Sequence, residues 1–318
     1  MASNVQLKEA VAKLRTQMGL PEREVKDRFQ QATDIGYWQN LCPFMGVTDE
    51  ESLARLGHTT PSSEQEGSAL LNLEKHGYFQ MPALLAPATV ARMRSSVEAV
   101  RAAGWPAVFS WVYDDFWAAL RTPPMVRFFR RQLGAGYLQS ASGLWVHYVD
   151  PQKRGSGWVP HVDSTKDQGR ITVWIPLMDV TIRNGCMYVI PEDRVPPTLS
   201  ASFGDWTSIS RQELEALLHG VTPLPAAAGS VLGWSHRVIH WGGAATDLAA
   251  GPRISLAADF LHEKSTPGSD ELPVFDANLP PFPVRLRVIG KSIHDYEKFE
   301  PLMQKYAGLV TKLIEWGS

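Results

Sequence analysis

The sequence predicts a mainly β protein with helical additions, and three observations carry that prediction. From residue 141 onward, short runs rich in Val, Ile, Trp and Tyr are separated by Pro, Gly, Asn and Asp, the pattern of antiparallel strands and tight turns. Seven or eight such runs indicate a jelly roll or another two-sheet β architecture. The chain has 318 residues, 44% hydrophobic and 20% charged, which is ample for a large buried core.

The elements follow in order. Leu7, Val11, Leu14 and Met18 recur at helical spacing, with Ser3 or Asn4 as cap and Gly19 as stop, and Pro21 opens a second helix. Residues 42–66 lose that periodicity and gain Gly, Pro and Ser, so they read as a loop or linker. The expected organisation is a helical N-terminal extension over 1–66, a β domain over 67–265 and a C-terminal extension over 266–318, its tail Tyr296–Trp316 forming a closing helix. Within the β domain, a short strand at 78–82 precedes a helix whose Val90, Met93, Val97 and Val100 share one face. The stretch 105–137 is crowded with aromatics, among them Trp105, Phe109, Trp111 and Trp117; core packing is the expected role and a substrate lid the alternative. Strands are expected at 143–149, 158–162, 171–178, 186–190, 230–234, 237–241 and 253–260, interrupted by a helical insert at 208–218.

Charge excludes some functions. Lys+Arg at 31 and Asp+Glu at 33 leave a formal charge of -2, so no global field draws the protein to nucleic acid or to an anionic membrane. No apolar run approaches the roughly 20 residues that span a bilayer. The opening MASNVQLKEA lacks the charged and apolar regions of a secretory signal, and two distant cysteines, Cys42 and Cys186, do not suggest a disulfide. A cytoplasmic protein acting on a small molecule is the expectation.

The chemistry is expected around Pro160-His161-Val162-Asp163 and, 77 residues after Asp163, Val238-Ile239-His240. On a strand, residues two apart share a face, so His161 and Asp163 present an imidazole and a carboxylate side by side. A second histidine from a neighbouring strand completes a two-His, one-carboxylate face, which leaves the opposite positions of an octahedral metal open and suits Fe(II). An isolated His-x-Asp is weak evidence, because a single histidine is usually a satisfied polar group. Its surroundings add weight: Thr172–Asp179 and Asn184–Pro191 read as strand, tight Asn-Gly turn and second strand.

His161-x-Asp163, the run Trp174-Ile175-Pro176-Leu177-x-Asp179, the run Asn184-Gly185-Cys186 leading to Ile190-Pro191, and His240 followed by Arg253 resemble the phytanoyl-CoA dioxygenase family of Fe(II)- and 2-oxoglutarate-dependent oxygenases. Glu74–Phe79 and Leu84–Pro87 resemble the family's first strand and helix, so the likeness covers roughly 70–262. The resemblance implies a double-stranded β-helix, the cupin-like jelly roll, flanked by helices. It implies His161, Asp163 and His240 as catalytic iron ligands, with 2-oxoglutarate and O2 as cosubstrates. Arg253, 13 positions after His240, matches the arginine that binds the distal carboxylate of 2-oxoglutarate, a role suited to a planar guanidinium fork. Ser255 stands on the same strand face and offers a hydroxyl to that carboxylate. Trp174 and His147 lie on strands where family members contact the cosubstrate, although His147 stands where the family pattern has lysine or glutamine. His236 competes with His240 for the third ligand position; His240 is preferred because Trp241-Gly242-Gly243 resembles the family's His-Gly-Ser turn.

The implied reaction is hydroxylation of an unactivated C–H bond of a small molecule, with release of succinate and CO2. A carboxylate at Asp163, rather than Gly or Ala, vacates no site for a halide and favours hydroxylation over halogenation. Three alternatives stand beside it: desaturation or cyclisation by the same oxidising chemistry, a metal-binding jelly roll without dioxygenase activity, and an interaction module in 1–66. Lys153, Arg154, Lys166 and Arg170 near His161 permit a coenzyme A thioester, whereas the aromatics at 105–117 suit a small apolar metabolite.

Overall fold

The computed structural model describes residues 19–49, 51–141, 143–151, 158–164, 169–196, 199, 209–268, 274–276, 278–297 and 299–316. Its strands are β1 (Tyr78–Met81), β2 (Leu138–Ser140), β3 (Trp145–Val149), β4 (Arg170–Pro176), β5 (Met187–Ile190), β6 (Thr222–Leu224), β7 (Val231–Ser235), β8 (Ile239–Gly242), β9 (Arg253–Leu261) and β10 (Val274–Phe275). All pair antiparallel. The larger sheet runs β1-β7-β4-β9-β2-β10, with β3 also on β9; the smaller runs β6-β5-β8. An isolated bridge from His161 to His240 adds one more rung at the edge of the smaller sheet.

β9 shows how the sequence positions the site. It is buried along its whole length, and its alternate residues serve opposite faces. Ile254, Leu256, Ala258 and Phe260 enter the main hydrophobic core, while Arg253, Ala257 and Asp259 line a chamber on the other side. β4 repeats the pattern, with Ile171, Val173 and Ile175 in the core and Arg170, Thr172 and Trp174 in the chamber. A strand buried on both faces but carrying Arg, Asp and Thr on one of them has its polar groups gathered for a purpose other than stability.

Helices cover the core face of the larger sheet. Ser63–His76 begins with a reciprocal capping box between Ser62 and Gln65 and ends at Gly77, whose φ of 77° a side chain rarely tolerates. Pro123–Leu133 contributes Phe128 and Phe129, and Phe129 stacks on Phe260 of β9 at 4.0 Å. Trp105, Phe109, Trp111, Tyr113, Phe116 and Trp117 are all buried in the same core, and none lines the chamber, so the lid reading of this stretch is overturned. Their polar atoms are satisfied from within: Trp117 donates to the Trp111 carbonyl at 2.7 Å and the Tyr113 hydroxyl to the Trp38 carbonyl at 3.1 Å.

The N- and C-terminal segments share this core through Val25, Trp38, Leu286, Ile289, Leu309 and Leu313. Asp114 ties them together. Its carboxylate accepts from the Thr48 and Asp49 amides and the Ser52 hydroxyl, and it pairs with Arg285 at 2.5 Å, both side chains being fully buried.

Several expectations are corrected. Helix exceeds strand, 45% against 19% of the described residues, so the protein is antiparallel sheet with extensive helix rather than mainly β. The excess comes from segments with strong helical periodicity of their own, including Phe282–Tyr296, which the sequence reading passed over. The single closing helix is instead a 3-10 turn, Pro301–Tyr306, followed by the helix Ala307–Trp316. Only the His161 bridge forms within 158–162. The helix expected around Leu7 to Met18 lies outside the described residues. Cys42 and Cys186 are buried and unpaired, and no helix among the described residues is long and apolar enough to cross a membrane.

Candidate metal centre

His161 and His240 face each other across the bridge. Each backbone N–H donates to the other's carbonyl, at 3.1 and 2.9 Å, and the two rings lie 4.4 Å apart. The Nδ1 of His161 is 2.8 Å from the Val159 carbonyl and that of His240 is 3.0 Å from the Val238 carbonyl. A carbonyl can only accept, so both Nδ1 atoms carry a proton, which leaves each Nε2 as the ring atom placed to bind a metal. The Asp163 carboxylate stands opposite, 3.7 Å from each Nε2. One ligand atom from each of the three residues falls within 4.8 Å of the others. Two imidazoles and one carboxylate form a donor set that can hold a divalent transition metal.

The electrostatics keep that set ready. Burial alone would raise the Asp163 carboxyl, but His240, His236, His161 and the Thr172 hydroxyl together hold it below the ordinary carboxylate range. Burial pushes the His240 imidazole down, so it stays neutral and able to ligate. The Thr172 hydroxyl sits 3.1 Å from Asp163 and 2.8 Å from Asp259 and, having one proton, donates to one of them at a time. Asp259 in turn lies 3.5 Å from His236, on the turn between β7 and β8. That pairing raises the His236 imidazole against the effect of burial and occupies it away from the three-residue cluster.

Deeper in the chamber, Arg253 is 1% exposed, and its Nη1 donates to the Gly185 carbonyl at 2.5 Å. Its Nε has no partner among the described residues, and neither has the buried Ser255 hydroxyl two positions along β9. A buried guanidinium and hydroxyl left partly unsatisfied are costly unless an acceptor fills the space, and a carboxylate has the right shape and charge. Gly242 makes room: a Cβ there would lie 2.8 Å from the Arg253 Nη1. Trp174 lines the same space, 5.9 Å from the guanidinium carbon. His147 pairs with Ser255 across β3 and β9, and burial, reinforced by Arg253, lowers it to about 3, leaving it neutral. The residues present therefore fit a metal ion with a dicarboxylate beside it. Residues 73–249, more than half of the chain, match the model of the phytanoyl-CoA dioxygenase (PhyH) family.

The chain belongs to the phytanoyl-CoA dioxygenase family.

The family match contains His161, Asp163, His240, Trp174 and His147 and stops just before Arg253 and Ser255. Solved structures share its fold. The epimerase SnoN, crystallised with Fe3+, α-ketoglutarate and nogalamycin RO, is 18% identical, covers 69% of this chain and 94% of its own, and superposes with a TM-score of 0.52. The non-heme monooxygenase ThoJ, solved as a nickel complex, is 15% identical, covers 74% and 99%, and also has a TM-score of 0.52. No curated protein matches the chain by sequence.

The structure thus gathers six of the seven residues singled out from the sequence around one chamber, with the seventh, Ser255, buried beside it as the register partner of His147, and it adds others. Thr172 and Asp259 were missed although a signal existed: each lies an even number of positions from a noted residue on the same strand, Trp174 and Arg253 respectively. Trp158, Tyr296 and Phe299 also line the chamber. No local pattern connects the C-terminal pair to His161. Of the basic residues weighed for a thioester, Arg170 lines the chamber, and Lys153, Arg154 and Lys166 lie outside the described residues.

Proposed function

We propose that this protein is an Fe(II)- and 2-oxoglutarate-dependent dioxygenase that hydroxylates an unactivated C–H bond of a small molecule. The carrying observation is the pairing of the His161–Asp163–His240 cluster with a buried, partly unsatisfied Arg253 in one chamber. The two antiparallel sheets on either side of it are read as a double-stranded β-helix over 67–265, with 1–66 and 266–318 as extensions. Family membership supports the cofactor pair, and the fold shared with SnoN and ThoJ is compatible with it.

In this reading iron, 2-oxoglutarate and O2 supply the oxidising power, the substrate C–H becoming C–OH while 2-oxoglutarate leaves as succinate and CO2. The protein's part is placement. His161 and His240 turn their Nε2 atoms to the metal position because Val159 and Val238 hold their Nδ1 protons. Asp163 supplies the single carboxylate, kept ionised by its neighbours. Arg253 and Ser255 hold the distal carboxylate of 2-oxoglutarate, and neutral His147 with Trp174 flanks it. His161, Asp163 and His240 would hold the metal as a two-histidine, one-carboxylate set, which would leave coordination positions for cosubstrate and oxygen.

The test is an anaerobic titration with Fe(II) and 2-oxoglutarate, following the visible charge-transfer absorption, in wild type and Arg253→Ala. A band in wild type that weakens in the variant supports the proposal. Metal binding without a band would favour a metal-binding jelly roll with no dioxygenase activity. Product analysis then separates hydroxylation from desaturation or cyclisation.

A further inference from the structure

Beyond residue 249, where the family match ends, the helix Phe282–Tyr296 and the turn after it reach back over the chamber. Asp295, Tyr296 and Phe299 line it together with the metal cluster. Resting on the proposed function, we propose that this C-terminal segment builds the substrate site, which takes a neutral, ring-bearing small molecule oriented by a hydrogen bond from the Tyr296 hydroxyl to an acceptor on that molecule.

The walls argue for a ring. Phe299 lies 4.8 Å from Trp158 at 48°, and Tyr296 packs edge-on to Trp158 at 5.6 Å. Phe299 is 56% exposed. Aromatic side chains that meet at the opening of a cavity and leave much of their faces uncovered are suited to clasp a flat apolar body. The chamber's volume of about 530 Å³ suits a compact molecule.

Charge argues for neutrality. With Arg253 assigned to the 2-oxoglutarate carboxylate and Asp163 to the metal, the chamber's remaining charged groups, Asp259 and Asp295 against Arg170 and His236, leave no net positive charge to draw a second anion. A cation finds no waiting partner either. Asp259 is engaged by His236 and Thr172, Asp295 and Arg170 each have interactions of their own, and Asp163 belongs to the metal set. A coenzyme A thioester, with its several phosphate charges, does not fit these walls.

Tyr296 argues for an acceptor. Its ring is fixed by parallel stacking on buried Trp145, 4.1 Å apart and 2° from coplanar orientation, so the hydroxyl has a defined direction. No described residue hydrogen-bonds that hydroxyl. Burial and the carboxylates of Asp259 and Asp163 raise its pKa, so it remains a proton donor across the physiological range.

The probe is Prodan, a neutral naphthalene dye with one ketone, whose emission moves to shorter wavelength when it leaves water and again when its ketone loses a hydrogen bond. Wild-type protein should bind it with a shortened emission wavelength. Phe299→Ala and Trp158→Ala should each weaken binding roughly 3- to 10-fold, the scale of a lost aromatic contact. Tyr296→Phe should bind within about 3-fold of wild type but emit at a still shorter wavelength. Coenzyme A should not displace the dye. No binding to wild type, indifference to both aromatic deletions, unchanged emission in Tyr296→Phe, or displacement by coenzyme A would each overturn the proposal. The charge-transfer titration run on the same variants keeps the two readings apart: a missing band with normal dye behaviour sinks the dioxygenase assignment and leaves the ring-binding chamber standing.

Discussion

His161 and His240, 79 positions apart in the chain, exchange both of their backbone hydrogen bonds and so fix each other's side chains over the same point. The bridge makes the relative position of the two imidazoles a property of the sheet edge rather than of two independent loops. Rigid elements hold such constellations more accurately than loops do.

That relationship separates His240 from its rival. His161→Ala, Asp163→Ala and His240→Ala should each weaken Fe(II) retention by more than the roughly 10- to 100-fold that loss of an outer partner costs, whereas His236→Ala should stay within about 100-fold. Iron content after gel filtration, read against a metal titration, decides the point. Loss confined to His236→Ala would move the third ligand to that residue.

Gly242 is predicted to guard the cosubstrate pocket. Adding one methyl in Gly242→Ala puts carbon 2.8–2.9 Å from the Arg253 guanidinium nitrogens, and a side chain 1% exposed has little room to retreat. Calorimetry should show 2-oxoglutarate affinity falling by about tenfold or more, which is about 1.4 kcal/mol, with metal affinity close to wild type. Equal loss of both would point instead to a collapsed sheet edge.

The Asp114–Arg285 pair is predicted to be the costliest polar contact to break. Both groups are buried, and Asp114 also serves two amides and Ser52, so Arg285→Met leaves an uncompensated carboxylate. A loss of about 3–5 kcal/mol in urea unfolding is expected. Because Arg285 sits on the helix that carries Tyr296, Prodan affinity should fall with it.

Glu66 should make stability depend on pH. Arg127, hydrogen-bonded to it at 2.8 Å, together with Arg131, holds its carboxyl below the ordinary range despite burial. A carboxyl lowered on folding stabilises the native state above its unfolded value, about 4.3, and that contribution disappears as pH falls through the folded value. Glu66→Gln should therefore be less stable than wild type at pH 7, by about 1 kcal/mol or less given the exposed arginines, with the gap closing below about pH 4. Chemical denaturation at pH 7 and pH 3 measures it, and an equal gap at both would show that the ion pair is not its source.

By itself the sequence determined the longer strands of the larger sheet and pointed to the candidate metal-binding residues. Alternation on β4 and β9 and the turn chemistry at Asn184-Gly185 are local, so residues such as Val173 and Ile254 announce their burial without knowledge of any partner. His161-x-Asp163 was legible because strand spacing ties residues two apart to one face, whereas the choice of His240 over His236 and the role of Arg253 came from the resemblance to the family. The short strands Leu138–Ser140, Thr222–Leu224 and Val274–Phe275 were not legible, since two or three residues carry no period and pair only because β9, β5 and β2 lie beside them. Only the tertiary structure decided that the aromatics of 105–117 fill the core, that His236 turns to Asp259, and that Tyr296 and Phe299 cross to the mouth of the chamber. Those outcomes depend on what each side chain meets across long loops and between layers, and contacts of that range leave no period in the chain.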